Sequence, residues 1–130
     1  MVEVEFRSIN QTQSCVGNYR VKVTQTGALF YARNTQECRR GEDWSSSWPS
    51  EPSRQLSATD MQGLQALVQG GGVLELPARV TDPARATSGG HREEVDIRIG
   101  DVEHRVVVDN TSAVPVDALR RLLLGWVATG

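Results

Sequence analysis

Apolar and polar residues alternate with a period of two over several stretches of the chain. Val2, Val4 and Phe6 alternate with charged residues at the start. Residues 19–24 and 94–99 repeat the pattern. Strict alternation predicts strands with one buried and one solvated face. We therefore predict antiparallel strands whose apolar faces share one core.

Two later stretches carry apolar residues at helical spacing. The first spans residues 56–69, where Ser57 suits the N-cap and Asp60 suits a capping box. Glycines from Gly70 onward end this helix. The second helix begins at about Pro115, since proline suits the first helical position. The predicted stripes are Met61, Leu64, Leu67 and Val68, then Val116, Leu119, Leu122, Leu123, Trp126 and Val127, with Arg120 and Arg121 pointing away.

The predicted element order is β-β-β-α-(β)-β-β-α. This order indicates one α+β domain over residues 1–130, with an antiparallel sheet of about five strands and two helices packed on one face. The optional strand is the apolar segment 73–76. Long loops are expected at about 34–55 and 77–92, and loops of that length are typically functional or disordered.

The central hairpin admits two registers. A two-residue turn at Thr26 and Gly27 places Cys15 opposite Cys38 and on the parity of the apolar face. We adopt this register, which predicts a disulfide at the base of the hairpin. A three-residue turn would shift the pairing by one residue and separate the cysteines, which would then be free thiols.

The second hairpin has a clearer register. A two-residue turn at 100–101 pairs Asp96 with Arg105 and Arg98 with Glu103. Two matched charge pairs in one register support that choice of turn.

The register adopted for the central hairpin places basic and aromatic residues on one solvated face. These residues are Arg20, Lys22, Tyr31 and Arg33. Arg20 would lie opposite Arg33, and directly opposed like charges destabilise a sheet. Such a patch suits an acidic partner. The alternative is an ordinary solvated face.

Trp44 and Trp48 lie in the predicted loop 34–55. Exposed aromatic residues in a long loop are typical contact anchors. Alternatively, the two rings fold back over the sheet edge and extend the core. The sequence leaves both alternatives open.

Charge and hydropathy narrow the classes of partner. The net charge is −2 and the pI is about 5.7, which argues against a general nucleic-acid or anionic-membrane binder. No apolar run reaches transmembrane length.

The N-terminus has a strand pattern and not that of a signal peptide, so we expect a cytoplasmic protein. If Met1 replaces a removed leader, the protein is extracytoplasmic, which the predicted disulfide favours. The sequence does not indicate an oligomeric state.

The two histidines offer the best candidates for chemistry. His104 falls on the apolar face opposite Ile97, which is typical of a core residue, and His91 lies in a glycine-rich stretch. The spacing of histidines and cysteines matches no zinc motif. We therefore predict no catalytic residue, metal or cofactor. A small hydrolase using His91 or His104 with an acid remains one alternative.

Part of the sequence resembles a known family. The run Cys-Val-Gly-Asn-Tyr-Arg-Val-Lys-Val at 15–23, the later Gly27, and an ending with Asp109, Pro115, Leu119, Leu122 and Trp126 resemble small bacterial domains of the emfourin type. Those domains inhibit thermolysin-like metalloproteases. The resemblance implies the order strand, hairpin, helix, hairpin, helix, and a protease inhibitor as an alternative function. Because this chain adds the long tryptophan loop, no inhibitory residues are carried over.

The leading hypothesis is a non-enzymatic protein-binding module. Another protein would be its partner, and the 34–55 loop would make the main contact through Trp44 and Trp48.

Overall fold

The computed structural model describes residues 1–10, 16–35, 47–82, 84 and 90–129. Cys15, Cys38 and Trp44 lie outside these residues, so the disulfide stays a prediction. The described elements are β1 (Val2–Asn10), β2 (Tyr19–Val23), β3 (Ala28–Arg33), β4 (Arg54–Gln55), α1 (Ala58–Gly70), a 3₁₀ turn (Val73–Glu75), β5 (Arg79–Thr81), β6 (His91–Ile99), β7 (Val102–Asp109) and α2 (Val114–Thr129).

The described strands form one mixed sheet of seven strands in the order β4-β3-β2-β1-β6-β7-β5. Neighbouring strands are antiparallel except β5, which runs parallel to β7. The predicted α+β class is therefore confirmed, whereas the sheet of about five antiparallel strands is wrong. The two additional strands lie inside segments predicted as loops. They have two and three residues, too few to show an alternating pattern.

The optional strand predicted at 73–76 is instead the 3₁₀ turn Val73–Glu75. Gly72 precedes this turn with a φ of +97°, a conformation that glycine adopts without a Cβ penalty. The chain turns there, and the next extended segment starts only at Arg79.

Both helices pack on the same face of the sheet, which we call the inner face. One cluster of buried residues joins the sheet to the helices. It includes Phe6, Val21, Val95 and Val106 from the strands, and Leu64, Val68, Val116, Leu119 and Leu123 from the helices. The predicted helical stripes thus form the core, and the strands alternate between this core and the opposite, outer face.

Helix α1 begins where its capping residues predict. The Ser57 hydroxyl accepts from the Asp60 amide at 3.0 Å, and the Asp60 carboxylate accepts from the Ser57 amide at 3.2 Å. This reciprocal capping box satisfies two backbone donors that a helix start leaves without partners.

The β6–β7 hairpin has the predicted register. Asp96 lies opposite Arg105, and Arg98 lies opposite Glu103. Gly100 has a φ of +56° in the tight turn, as such turns require.

The predicted register of the central hairpin is wrong by one residue. Val23 lies opposite Leu29, and Val21 lies opposite Tyr31. The Gly27 amide donates to Thr24 O at 3.0 Å, and the Thr24 amide donates to Ala28 O at 3.0 Å. Together with the φ of +87° at Gly27, these bonds define a three-residue loop, residues 25–27, that ends in a left-handed glycine.

The shifted register divides the predicted basic patch. Arg20 and Lys22 point to the outer face, while Tyr31 and Arg33 share the parity of the inner face. Arg20 lies opposite Ala32 instead of Arg33, so the repulsion predicted between those arginines is absent. The register that placed Cys15 opposite Cys38 is therefore no longer a reason to expect the disulfide.

Candidate binding surface on the outer face of the sheet

An open groove of about 730 Å³ crosses the outer face of the sheet. Strands β1, β2, β6 and β7 contribute its lining. Most lining side chains are charged because the alternation of each strand sends its polar residues to this face. The charged residues of the groove are Glu3, Glu5, Lys22, Asp96, Arg98, Glu103 and Arg105.

Arg7 lies at the centre of this face and contacts three carboxylates. Its Nε donates to Glu94 Oε1 at 2.9 Å, and its Nη2 donates to Asp96 Oδ2 at 2.5 Å. Its Nη1 donates to Glu5. Burial alone would lower the pKa of Arg7, but the hydrogen bonds to Asp96 and Glu94 and the charge of Glu5 outweigh it and raise the pKa. The guanidinium is therefore a fixed positive centre.

Two further arginines extend this cluster. Arg92 Nε lies 2.9 Å from Glu94 Oε2, and Arg105 Nη2 donates to Glu94 Oε1 at 3.1 Å. We call Arg7, Arg92, Arg105, Glu5, Glu94 and Asp96 the charge network. It contains three cations and three anions, which hold one another in place. A surface fixed in this way loses less side-chain entropy when a partner binds.

Beside the charge network, Trp48 lies against two cations of β2. The Arg20 guanidinium carbon is 4.2 Å from the centre of the Trp48 ring, and Lys22 Nζ is 4.5 Å from it. Lys22 Nζ also lies 5.1 Å from the Phe30 ring. These are cation–π distances. We call Arg20, Lys22 and Trp48 the basic strip.

Burial lowers the pKa of Arg20; the nearby Arg7 lowers it further, and Glu5 opposes the shift. The guanidinium of Arg20 thus lies where positive charge is costly to hold. The half-buried Trp48 ring offsets part of that cost through its negative face.

Trp48 reaches the outer face because the chain after it is bound to the sheet edge. The Ser53 amide donates to Leu29 O at 2.8 Å, and β4 then pairs with β3. Trp48 folds back over the sheet, as one alternative predicted, but it packs on two cations of the outer face and does not extend the buried core.

Of the predicted patch, the structure brings together only Arg20 and Lys22. The Tyr31 ring lies 5.9 Å from the Tyr19 ring, and both pack against the core. Arg33 is exposed. Sequence reasoning missed the charge network, whose only sequence signal was the alternation of charges along β1 and β6.

The two histidines occupy different settings on the inner face. His104 Nε2 donates to Leu76 O at 3.0 Å, and the residue lies opposite Ile97, as predicted. His91 is exposed; its Nε2 lies 3.1 Å from Ser8 Oγ and its Nδ1 lies 3.3 Å from Asn10 Oδ1.

Two residues along β6 from His91, a partly buried ion pair joins α2 to the sheet. Arg120 Nη1 donates to Glu93 Oε2 at 2.6 Å and to Asp117 Oδ1 at 3.0 Å. Glu93 is only 4% exposed. The prediction that Arg120 points away from the core is therefore wrong, because a carboxylate on the inner face binds it. Burial would lower the pKa of Arg120, but the hydrogen bonds and charges of Glu93 and Asp117 together outweigh it and raise the pKa.

No described helix is both long and apolar enough to cross a membrane. Within the same residues, no three or more His, Cys, Asp or Glu side chains are grouped to hold a metal ion. A search against protein-family models and a search of curated proteins each find no match to the chain.

Proposed function

We propose that the protein is a non-enzymatic protein-binding module whose contact surface is the outer face of the sheet. The observation that carries this proposal is that both helices pack on the inner face, while the outer face holds an open groove in which most of the charged side chains are in ion pairs. The basic strip borders the groove, and the 34–55 loop that supplies Trp48 adds contact area.

The chemistry of the groove favours a macromolecular partner over a small molecule. Small-molecule sites are mostly apolar and enclosed. This groove is open and lined by charged side chains, several of them in ion pairs. Fixed charges of both signs favour specific recognition of a complementary protein surface.

The test is capture from a lysate of the source cells, compared between matched variants. Lys22→Glu and Trp48→Ala change the basic strip, whereas Arg121→Glu changes an exposed residue of α2. We expect a captured protein to be lost with the first two variants, retained with the third, and cross-linked to β1 or β2 in the wild type. Equal capture by all three variants, or cross-links confined to the helices, would contradict the proposal.

The resemblance to emfourin-type domains supports a narrower alternative, in which the partner is a protease. A panel of thermolysin-like metalloproteases and serine proteases tests it. Inhibition at micromolar protein, weakened by Lys22→Glu, would support the inhibitor. If no protease is inhibited, this alternative fails while the binding module stands.

One observation favours a second class of function, a small hydrolase using His91. The Ser8 hydroxyl, the His91 ring and the Asn10 amide are connected in the order nucleophile, base and orienting group. Hydrolysis of p-nitrophenyl acetate by the wild type, lost in Ser8→Ala and His91→Gln, would support it. Rates equal to the uncatalysed background would exclude it for such esters.

A further inference from the structure

Two groove residues of opposite charge form no salt bridge with any described residue. They are Lys22 on β2 and Glu3 on β1, and both line the groove. Each has a directly opposed partner of opposite charge that is bound elsewhere. Glu5 lies opposite Lys22 but binds Arg7. Lys22 and Glu3 are therefore both available to form a salt bridge with a binding partner.

The position of Glu3 repeats this arrangement on the other side of β1. Arg98 of β6 lies directly opposite Glu3, but Arg98 binds Glu103 across the next hairpin. Glu3 and Lys22 form no salt bridge with each other, and the ammonium group of Lys22 lies within cation–π distance of the Trp48 and Phe30 rings.

We infer that the groove binds an extended segment of a partner protein that carries an acidic and a basic residue two positions apart. The acid would pair with Lys22 and the base with Glu3. This inference rests on the proposed function and specifies the chemistry of the partner. Covering two charges without supplying countercharges would be costly, so the groove selects a segment that brings both.

The positions of Lys22 and Glu3 in the sheet fit the repeat of an extended chain. Glu5 lies opposite Lys22, so Glu3 is its diagonal neighbour on the same face, and such neighbours are roughly 7–8 Å apart. Alternate residues of an extended chain are about 6.8 Å apart and point to the same side. One acid and one base at alternate positions therefore match the two charges.

The test is an NMR titration of the ¹⁵N-labelled chain at low salt with three peptides. One repeats Glu-Ser-Lys-Ser, one repeats Glu-Ser, and one repeats Lys-Ser. We expect the mixed peptide to bind most tightly and to shift signals of β1 and β2. Lys22→Gln and Glu3→Gln should each weaken its binding by about threefold to fivefold, and Arg121→Gln should leave it unchanged.

A charge-swapped variant, Glu3→Lys with Lys22→Glu, should retain binding of the mixed peptide, since the repeat presents both orders of charge. Tighter binding of the Glu-Ser or Lys-Ser peptide would overturn the inference. So would the absence of shifts in β1 and β2 at millimolar mixed peptide. If either result is obtained while lysate capture still depends on Lys22, only the inferred chemistry of the partner segment is wrong. If capture is also independent of Lys22, the proposed function fails with it.

Discussion

Arg7 and Arg20 lie directly opposite each other on β1 and β2. Like charges in that arrangement destabilise a sheet. Here the charge of Arg7 is balanced by the three carboxylates of the charge network, and the guanidinium of Arg20 lies 4.2 Å from the centre of the Trp48 ring. The sheet can therefore hold two cations side by side, and both balancing contacts can be tested separately.

Arg7→Met should destabilise the fold by about 2–3 kcal/mol, because it leaves Glu94 and Asp96 with fewer countercharges in a partly buried setting. Arg98→Met is the matched control. Arg98 and its partner Glu103 have side chains that are 54% and 69% exposed. Arg98→Met should therefore lower the free energy of unfolding by less than about 0.5 kcal/mol. Urea unfolding of both variants measures the difference. Equal losses would show that the charge network adds nothing beyond an ordinary surface pair.

Trp48→Ala should lower the free energy of unfolding by about 1–2 kcal/mol, because it removes a half-buried ring and two cation–π contacts. Trp48→Phe keeps an aromatic face and should lose less. Urea unfolding monitored by circular dichroism measures both variants. Unchanged stability in Trp48→Ala would mean that the ring does not hold the basic strip.

The β6–β7 register could be predicted because one turn choice paired two sets of opposite charges, Asp96 with Arg105 and Arg98 with Glu103. The central hairpin lacked such a check. Its returning run is apolar at successive positions, so both registers bury hydrophobic side chains. Gly27 can adopt a positive φ in either turn, but a two-residue type I′ turn would also require a positive φ at Thr26, and Thr26 has none. A one-residue error then moved Tyr31 and Arg33 to the other face.

The charge network could not be predicted because it depends on which distant strands become neighbours. Arg7 meets Glu94 and Asp96 only because β1 pairs with β6, and local alternation does not determine strand order. Arg120 was misplaced for a similar reason. A helical stripe indicates which residues are apolar, but not that Glu93 on the sheet will bind a cation at the edge of the stripe.

The Glu93–Arg120 ion pair should show strong coupling in a double-mutant cycle. Arg120→Met leaves a buried carboxylate without its cation and should cost about 3 kcal/mol. Glu93→Gln together with Arg120→Met should cost less than the sum of the single losses, by about 1–3 kcal/mol. Urea unfolding gives all the values, with Arg121→Met as an exposed control expected within about 0.5 kcal/mol of wild type. Additive losses would mean that the pair contributes little to holding α2 on the sheet.

Substitution by alanine should change the free energy of unfolding in opposite directions at Gly63, within α1, and at Gly71, directly after it. Gly63 is exposed within the helix, and a Cβ there would meet nothing within 4 Å. Gly63→Ala should therefore stabilise the protein by about 0.5–1 kcal/mol, because alanine has the higher helix propensity. Gly71 follows the helix and donates to Leu67 O at 2.7 Å. A Cβ there would lie 2.4 Å from that same oxygen, so the helix end must shift.

Gly71→Ala should therefore destabilise the protein by about 1–3 kcal/mol. The φ of Gly71 is −88°, which alanine adopts freely, so the loss would come from the steric contact with Leu67 alone. Thermal and urea unfolding of the two variants, each against wild type, measure the opposite signs. A stabilised Gly71→Ala variant would show that the last turn of α1 relaxes around the added methyl group, and that the glycine at this helix end is not required by packing.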